Sequence, residues 1–272
     1  MFADRLAIYR FDGELAVPSA IFSRQHSDWP ANQPAIGSWL WHDKNGNGSI
    51  QSNEYEGLGA EDLSLWGWEV DSKGDIWQAS EAGYIKHYRY QGLDTYGSPI
   101  YASAASEVIA MPAPFNKLER IKYFPETDTM YLGGYTTERP KVGNEFGILG
   151  TEIVRYNNWN RTRNLRYRIF LPYEPATEIP VVTRAMDVAG NSIFAVTSTS
   201  NANSKGKADV NIYDALSGAF LTKLSPGSEV YSETGWVDIP YGLRAYRRSN
   251  GEYVVFVEED AKAKTIMYRV KL

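Results

Sequence analysis

The chain contains no cysteine, which excludes disulfides and thiolate metal sites and suits a reducing or an oxidising compartment equally. No apolar run approaches the roughly 18 residues of a membrane-spanning helix, so no span is expected. The start, Met1-Phe2-Ala3-Asp4-Arg5, lacks the apolar core of a signal peptide. A formal net charge of −5 weighs against a nucleic-acid partner. Basic residues gather only in RTRNLRYR (161 to 168), which alternates like a solvated strand face. Zincin, hydrolase-elbow and phosphate-loop motifs are all missing. The three histidines, His26, His42 and His87, are scattered, and His87 reads as a surface or internally satisfied residue. No long Ala/Leu/Glu/Lys-rich stretch predicts a helix.

What the chain has in quantity is aromatic residues and turn formers: Tyr 19, Trp 8 and Phe 10 beside Gly 23 and Pro 13. That mixture describes many short strands broken by turns. A tyrosine recurs three places after an aliphatic or β-branched residue at Tyr9, Tyr88, Tyr156, Tyr213 and Tyr268. Ahead of each later one stands a hairpin-like segment: LWGWEVDSKGDIW, ERIKYFPETDTMY, TRAMDVAGNSIF and LRAYRRSNGEYVVF, with turns SKG, ETD, AGN and SNG. The repeat predicts an all-β fold in a single domain, residues 1–272: a β-propeller of about five four-stranded antiparallel blades. By this reading the first blade is incomplete, with two strands over 6 to 22, and the last has three. Two explanations stay open: the chain is a C-terminal fragment of a longer protein, or it makes a five-unit ring with one irregular blade. The two ends are expected to pair, or to leave a strand edge that another chain covers. Trp66, Trp68 and Trp77 are expected to pack between blades.

VDSKGDIW followed by YIKHYRYQG, and NIYDALSGAF after SIFAVTS, resemble the NHL and YVTN-type propeller repeats of bacterial extracytoplasmic proteins, over most of residues 62 to 272. The resemblance implies a propeller, an extracytoplasmic location and a habit of binding, not a reaction.

The most specific stretch is DKNGNGSIQSNE, Asp43 to Glu54. It fits the EF-hand calcium loop and is similar to the loops of EF-hands and dockerins, without their flanking helices. Asp43, Asn45 and Asn47 offer oxygens at alternate residues, Gly48 permits the sharp turn, Ser49 offers its carbonyl, Gln51 reaches the ion directly or through water, and Glu54 can chelate with both oxygens. These six are the predicted Ca²⁺ ligands, on a loop inserted over 39–56. With only two carboxylates the site should bind on the order of 10⁻⁴ to 10⁻³ M, which suits a structural ion rather than a sensor. His42 is expected to face away from it.

Connections at one end of the strands are long (23 to 62, 102 to 117, 136 to 151, 172 to 181, 199 to 209, 225 to 241), which marks that end as the binding face. Its ligand candidates are Trp236, Tyr241, Tyr173, Phe146 and Arg139, aromatic and arginine side chains that suit a carbohydrate or a protein partner. The same residues could simply pin loops to blades. The function expected is therefore a calcium-stabilised, non-catalytic binding or scaffolding module. The competing reading is a propeller enzyme on polysaccharide, with Glu233 and Asp238 as a glycosidase pair or Arg139 and Tyr241 in a lyase.

Overall fold

The structure, a computed structural model, describes residues 5–61, 67–80, 82–143, 147–178, 180–199, 208–228, 237, 240–259 and 264–272. The chain divides into two compact units, Met1–Met111 and Pro112–Leu272. No α-helix occurs among the described residues. Five antiparallel meanders give the all-β, five-blade arrangement of a β-propeller, two in the first unit and three in the second.

The first sheet joins β1 (Arg5–Asp12), β2 (Leu15–Ser23), β3 (Ser38–His42) and β4 (Tyr55–Gly59) in sequence order. Ile21, Trp39 and Trp41 form its buried cluster, against which Ala7, Ile50 and Tyr55 pack. The segment 23 to 62 is therefore not one long connection. SWLWH carries no polar alternation because all but its last residue are buried, and YEGLG is glycine-interrupted, so neither reads as a strand. This first blade has four strands rather than two.

The second sheet has the order β10-β7-β6-β5, with β5 (Trp68–Val70), β6 (Ile76–Ser80) and β7 (Tyr84–Tyr88). A separate ribbon of β8 (Tyr90–Leu93) and β9 (Pro99–Tyr101) intervenes before β10 (Glu107–Ala110). GSPIY, which reads as the blade's outer strand, belongs to that ribbon. Tyr101 packs edge-on against Phe22 at 5.2 Å, and Phe22 also meets Tyr88 at 5.2 Å. Trp68 and Trp77 are buried as expected. Trp66 lies outside the described residues.

In the second unit the third sheet runs β11 (Phe115–Phe124), β12 (Thr129–Thr136), β13 (Glu152–Asn157), β14 (Asn164–Phe170). The fourth runs β15 (Tyr173–Glu174), β16 (Val181–Ala189), β17 (Ser192–Ser198), β18 (Ala208–Asp214), β19 (Phe220–Leu224), and the fifth β20 (Leu243–Arg247), β21 (Tyr253–Glu259), β22 (Lys264–Val270). β-branched residues dominate the inner strands, and Ile193, Val196, Val210, Ile212 and Val255 are fully buried between neighbouring sheets. Each such side chain contributes roughly 1.5–3 kcal/mol by leaving water. One carbonyl, that of Ala215 after β18, accepts from Tyr131 of β12 (3.1 Å), Tyr167 of β14 (2.8 Å) and Arg155 of β13. Burial raises the Tyr131 phenol above its usual range. The RTRNLRYR run is not only a solvated face, because Arg168 pairs with the buried Glu152 at 2.7 Å.

The tyrosine repeat holds for four of its members. Tyr88, Tyr156 and Tyr268 lie on the third strands of their meanders, and Tyr213 holds the same place on β18 once the two-residue β15 is set aside. Tyr9 does not. It sits on β1, the first strand, and is 49% exposed where Tyr88 and Tyr156 are 2% and 1%. β1 is the edge of the first sheet and β22 that of the fifth.

Candidate metal centre

The Asp43–Glu54 loop connects β3 to β4, so it caps a hairpin within the first sheet. Its two carboxylates are drawn inward, Asp43 0% and Glu54 1% exposed. Burying two like charges together is unfavourable unless donors or a cation compensate, so the hydrogen bonds decide what the loop lacks. Asp43 Oδ2 accepts from the Gly48 amide at 2.9 Å and from Arg10 Nη1 at 2.7 Å. Glu54 Oε1 accepts from the Lys44 amide at 3.2 Å, and Oε2 from the Trp41 indole at 3.0 Å and the Gln51 amide at 3.3 Å. Asp43 Oδ1 is buried and has no partner.

The rest of the loop is wound by its own side chains. Asn45 Oδ1 accepts from the Asn47 amide (3.1 Å), Asn47 Oδ1 from the Ser49 amide (2.8 Å), and Asn45 Nδ2 donates to Gln51 Oε1 (3.2 Å). Gly46 and Gly48 adopt φ of 74° and 68°. A Cβ at Gly48 would stand 2.4 Å from Val17 Cγ1, so both backbone angle and space require glycine there. Ile50 packs on the core cluster beneath. Burial, then the Glu54 carboxylate, push the neighbouring Tyr55 phenol up to about 12.

A hard divalent cation fits this donor set. The orphaned Asp43 Oδ1 needs a positive partner, Glu54 Oε1 has one donor and retains a lone pair, and Asn45, Asn47, Gln51 and the Ser49 carbonyl are further oxygens at the spacing of a calcium loop. Nitrogen and sulfur ligands are absent from the loop, which disfavours zinc. Among the described residues no group of three or more His, Cys, Asp or Glu stands ready for a metal, so an ion here would depend on amide and carbonyl oxygens. His42 pairs with Asp94, its Nε2 3.2 Å from Oδ2.

The ligand-face candidates are not brought together in the same way. Trp236 and Phe146, with Glu233 and Asp238, lie outside the described residues. Arg139 donates to the carbonyls of Thr151 (2.6 Å) and Leu171 (3.0 Å) and lies over Phe170, so it braces a loop. Tyr173 does the same, exchanging hydrogen bonds with the backbone of Val142 (2.8 and 3.1 Å) and meeting Tyr135 edge-on. Tyr241 lies under the Arg120 guanidinium, 4.2 Å from its ring centroid. It also lines an open pocket of about 310 Å³ with Arg244, Phe256, Glu258 and Thr265. Sequence reading missed those four residues, because all of them are regular strand positions of the fifth sheet. It also missed Arg10, the loop's external donor.

No protein-family model and no curated protein sequence matches the chain. Among solved structures it is similar to Kuenenia stuttgartiensis hydrazine synthase, at 13% identity and TM-score 0.45 over 89% of this chain and 53% of that one. It thus spans about half the length of that chain. It is similar to the periplasmic gluconolactonase PpgL of Pseudomonas aeruginosa at 11% identity, TM-score 0.38, over 93% and 83% of the two chains. The Dos1 propeller gives 11% identity and TM-score 0.38 over 98% and 56%.

Proposed function

We propose that the chain is a calcium-stabilised, non-catalytic propeller module that binds a carbohydrate or protein ligand outside the cytoplasm. The observation that carries the calcium part is the buried, unpartnered Asp43 Oδ1 in a loop whose other carboxylate oxygens all have donors. Asp43, Asn45, Asn47, Ser49, Gln51 and Glu54 would hold the ion, which supplies positive charge at the loop centre and no chemistry. A site with two carboxylates and a nearby guanidinium fills only where calcium is on the order of millimolar, which supports an extracytoplasmic setting. The Asp71-to-Trp77 turn, in which Asp71 Oδ2 accepts from the Trp77 indole at 3.0 Å, supports kinship with NHL-type repeats. For the ligand, the pocket beside Tyr241 offers an aromatic edge, Arg244 and Glu258 in one place, a mixture suited to hydroxyl-rich or peptide surfaces.

Thermal melts in EDTA and in millimolar calcium test the metal reading: a calcium-dependent rise in melting temperature is expected, and superimposable curves would refute it. A glycan array probed with wild type and Arg244→Ala tests the ligand reading. Retained binding in the variant, or none by either protein, would remove the pocket as a carbohydrate site.

A further inference from the structure

The same loop carries a feature that a calcium loop does not require. Arg10 reaches from β1 to place Nη1 2.7 Å from Asp43 Oδ2 and Nη2 2.7 Å from the Gly46 carbonyl. Its side chain is 17% exposed and that of Asp43 0%, so the pair is shielded and salt screens it little. The other cation of the loop, Lys44, turns outward to Glu56 at 3.1 Å. Arg10 is thus the positive charge set against the ligand carboxylate of Asp43.

We infer that Arg10 is a built-in counter-cation that sets the calcium affinity of the loop: it holds the ligand carboxylate in place without the ion and repels the ion when it arrives. This rests on the calcium reading above. The division of labour within one carboxylate supports it. Oδ2 is taken by Arg10 and the Gly48 amide, while Oδ1 is left over, so the guanidinium orients Asp43 without occupying the ion's oxygen. Arg10 also ties the loop backbone at Gly46, and its own amide donates to Ser19 Oγ at 3.0 Å, which anchors the strand it comes from. A loop pre-formed in this way changes little on binding, so the ion acts as a graded stabiliser rather than a switch. The shielded guanidinium leaves the two buried carboxylates with a net charge of −1, which weakens attraction for a divalent ion.

The two roles separate in substitutions. Arg10→Gln keeps a donor for Asp43 and removes the charge. It should tighten calcium binding on the order of tenfold by isothermal titration calorimetry while lowering the melting temperature in EDTA. Arg10→Lys keeps the charge and should leave the affinity within about twofold of wild type. A residue with a purely structural role would lower stability and affinity together, so the opposite movement of the two is the signature. Terbium emission excited through Trp41, whose indole donates to Glu54, gives a second readout of the same ranking. Unchanged or weaker calcium binding in Arg10→Gln, with wild type binding normally, overturns this inference and leaves the calcium reading standing. Absence of binding in wild type and in Arg10→Gln alike overturns both.

Discussion

Two turns of the first unit begin with a buried aspartate and are built alike, yet they end in different electrostatic states. At Asp71, Oδ1 accepts from the amides of Lys73 and Asp75 and Oδ2 from the Trp77 indole, with Gly74 at φ 87° closing the turn. At Asp43, Gly48 closes the loop and the nearby indole, Trp41, goes to Glu54 instead, leaving one Asp43 oxygen with nothing. Both aspartates organise amides around a carboxylate, as such side chains do in turns. Only one completes its own set of donors. The difference teaches that an aspartate at the head of a turn is not itself a metal signal. What signals a metal is a buried oxygen that the turn leaves unsatisfied.

Substitutions can break or sharpen that contrast. The largest effect is expected from Asp71→Ala, which strands the Trp77 indole and two turn amides. A loss of about 3 kcal/mol in urea unfolding, the same with calcium or EDTA, is predicted. Asp43→Asn should keep the acceptor for Arg10 and Gly48 but put an amide donor where the free oxygen was. The calcium-dependent stabilisation of wild type, about 1.4 to 2.7 kcal/mol at ten to a hundred times the Kd, should vanish from melts. If Asp71→Ala proved calcium-sensitive and Asp43→Asn did not, the contrast would be reversed. Gly48→Ala forces a side chain into φ 68° and against Val17, and should cost about 2 kcal/mol in EDTA by the same unfolding assay. Asn53→Ala, at an exposed place that contributes no oxygen to the loop, should change melting free energy by less than about 0.5 kcal/mol in either buffer.

How much could be read beforehand follows from how local each feature is. The donors of the calcium loop lie within one twelve-residue stretch, so its order of Asp, Asn, Gly and Glu is visible in the chain. Arg10 is 33 residues from Asp43, and nothing in RLAIYRFD distinguishes it from a solvated strand residue. The hairpins around SKG, ETD, AGN and SNG were legible for the same local reason, each being two strands and their turn. Strand order was not. LAIY has the cadence of VNIY but occupies the first strand of its meander, because a period of two fixes which side chains face inward and not which neighbour a strand takes. SWLWH was lost between a proline-rich stretch and the calcium loop, being buried on both faces and so without alternation. Tyr173 and Arg139, ligand candidates by residue type, satisfy backbone groups of neighbouring segments, Val142 and Leu171.

The convergence on Ala215 has a mechanical consequence. Three donors from three different strands of the third sheet grip a single point beyond the fourth strand of the next. A sliding displacement of one sheet along the other cannot release them one at a time, since all three bonds lengthen together. Resistance to shear is therefore concentrated at that carbonyl, and the two sheets should yield as a single element under load. In hydrogen exchange, the amides of β13 and β17 should open at a common free energy rather than fray separately.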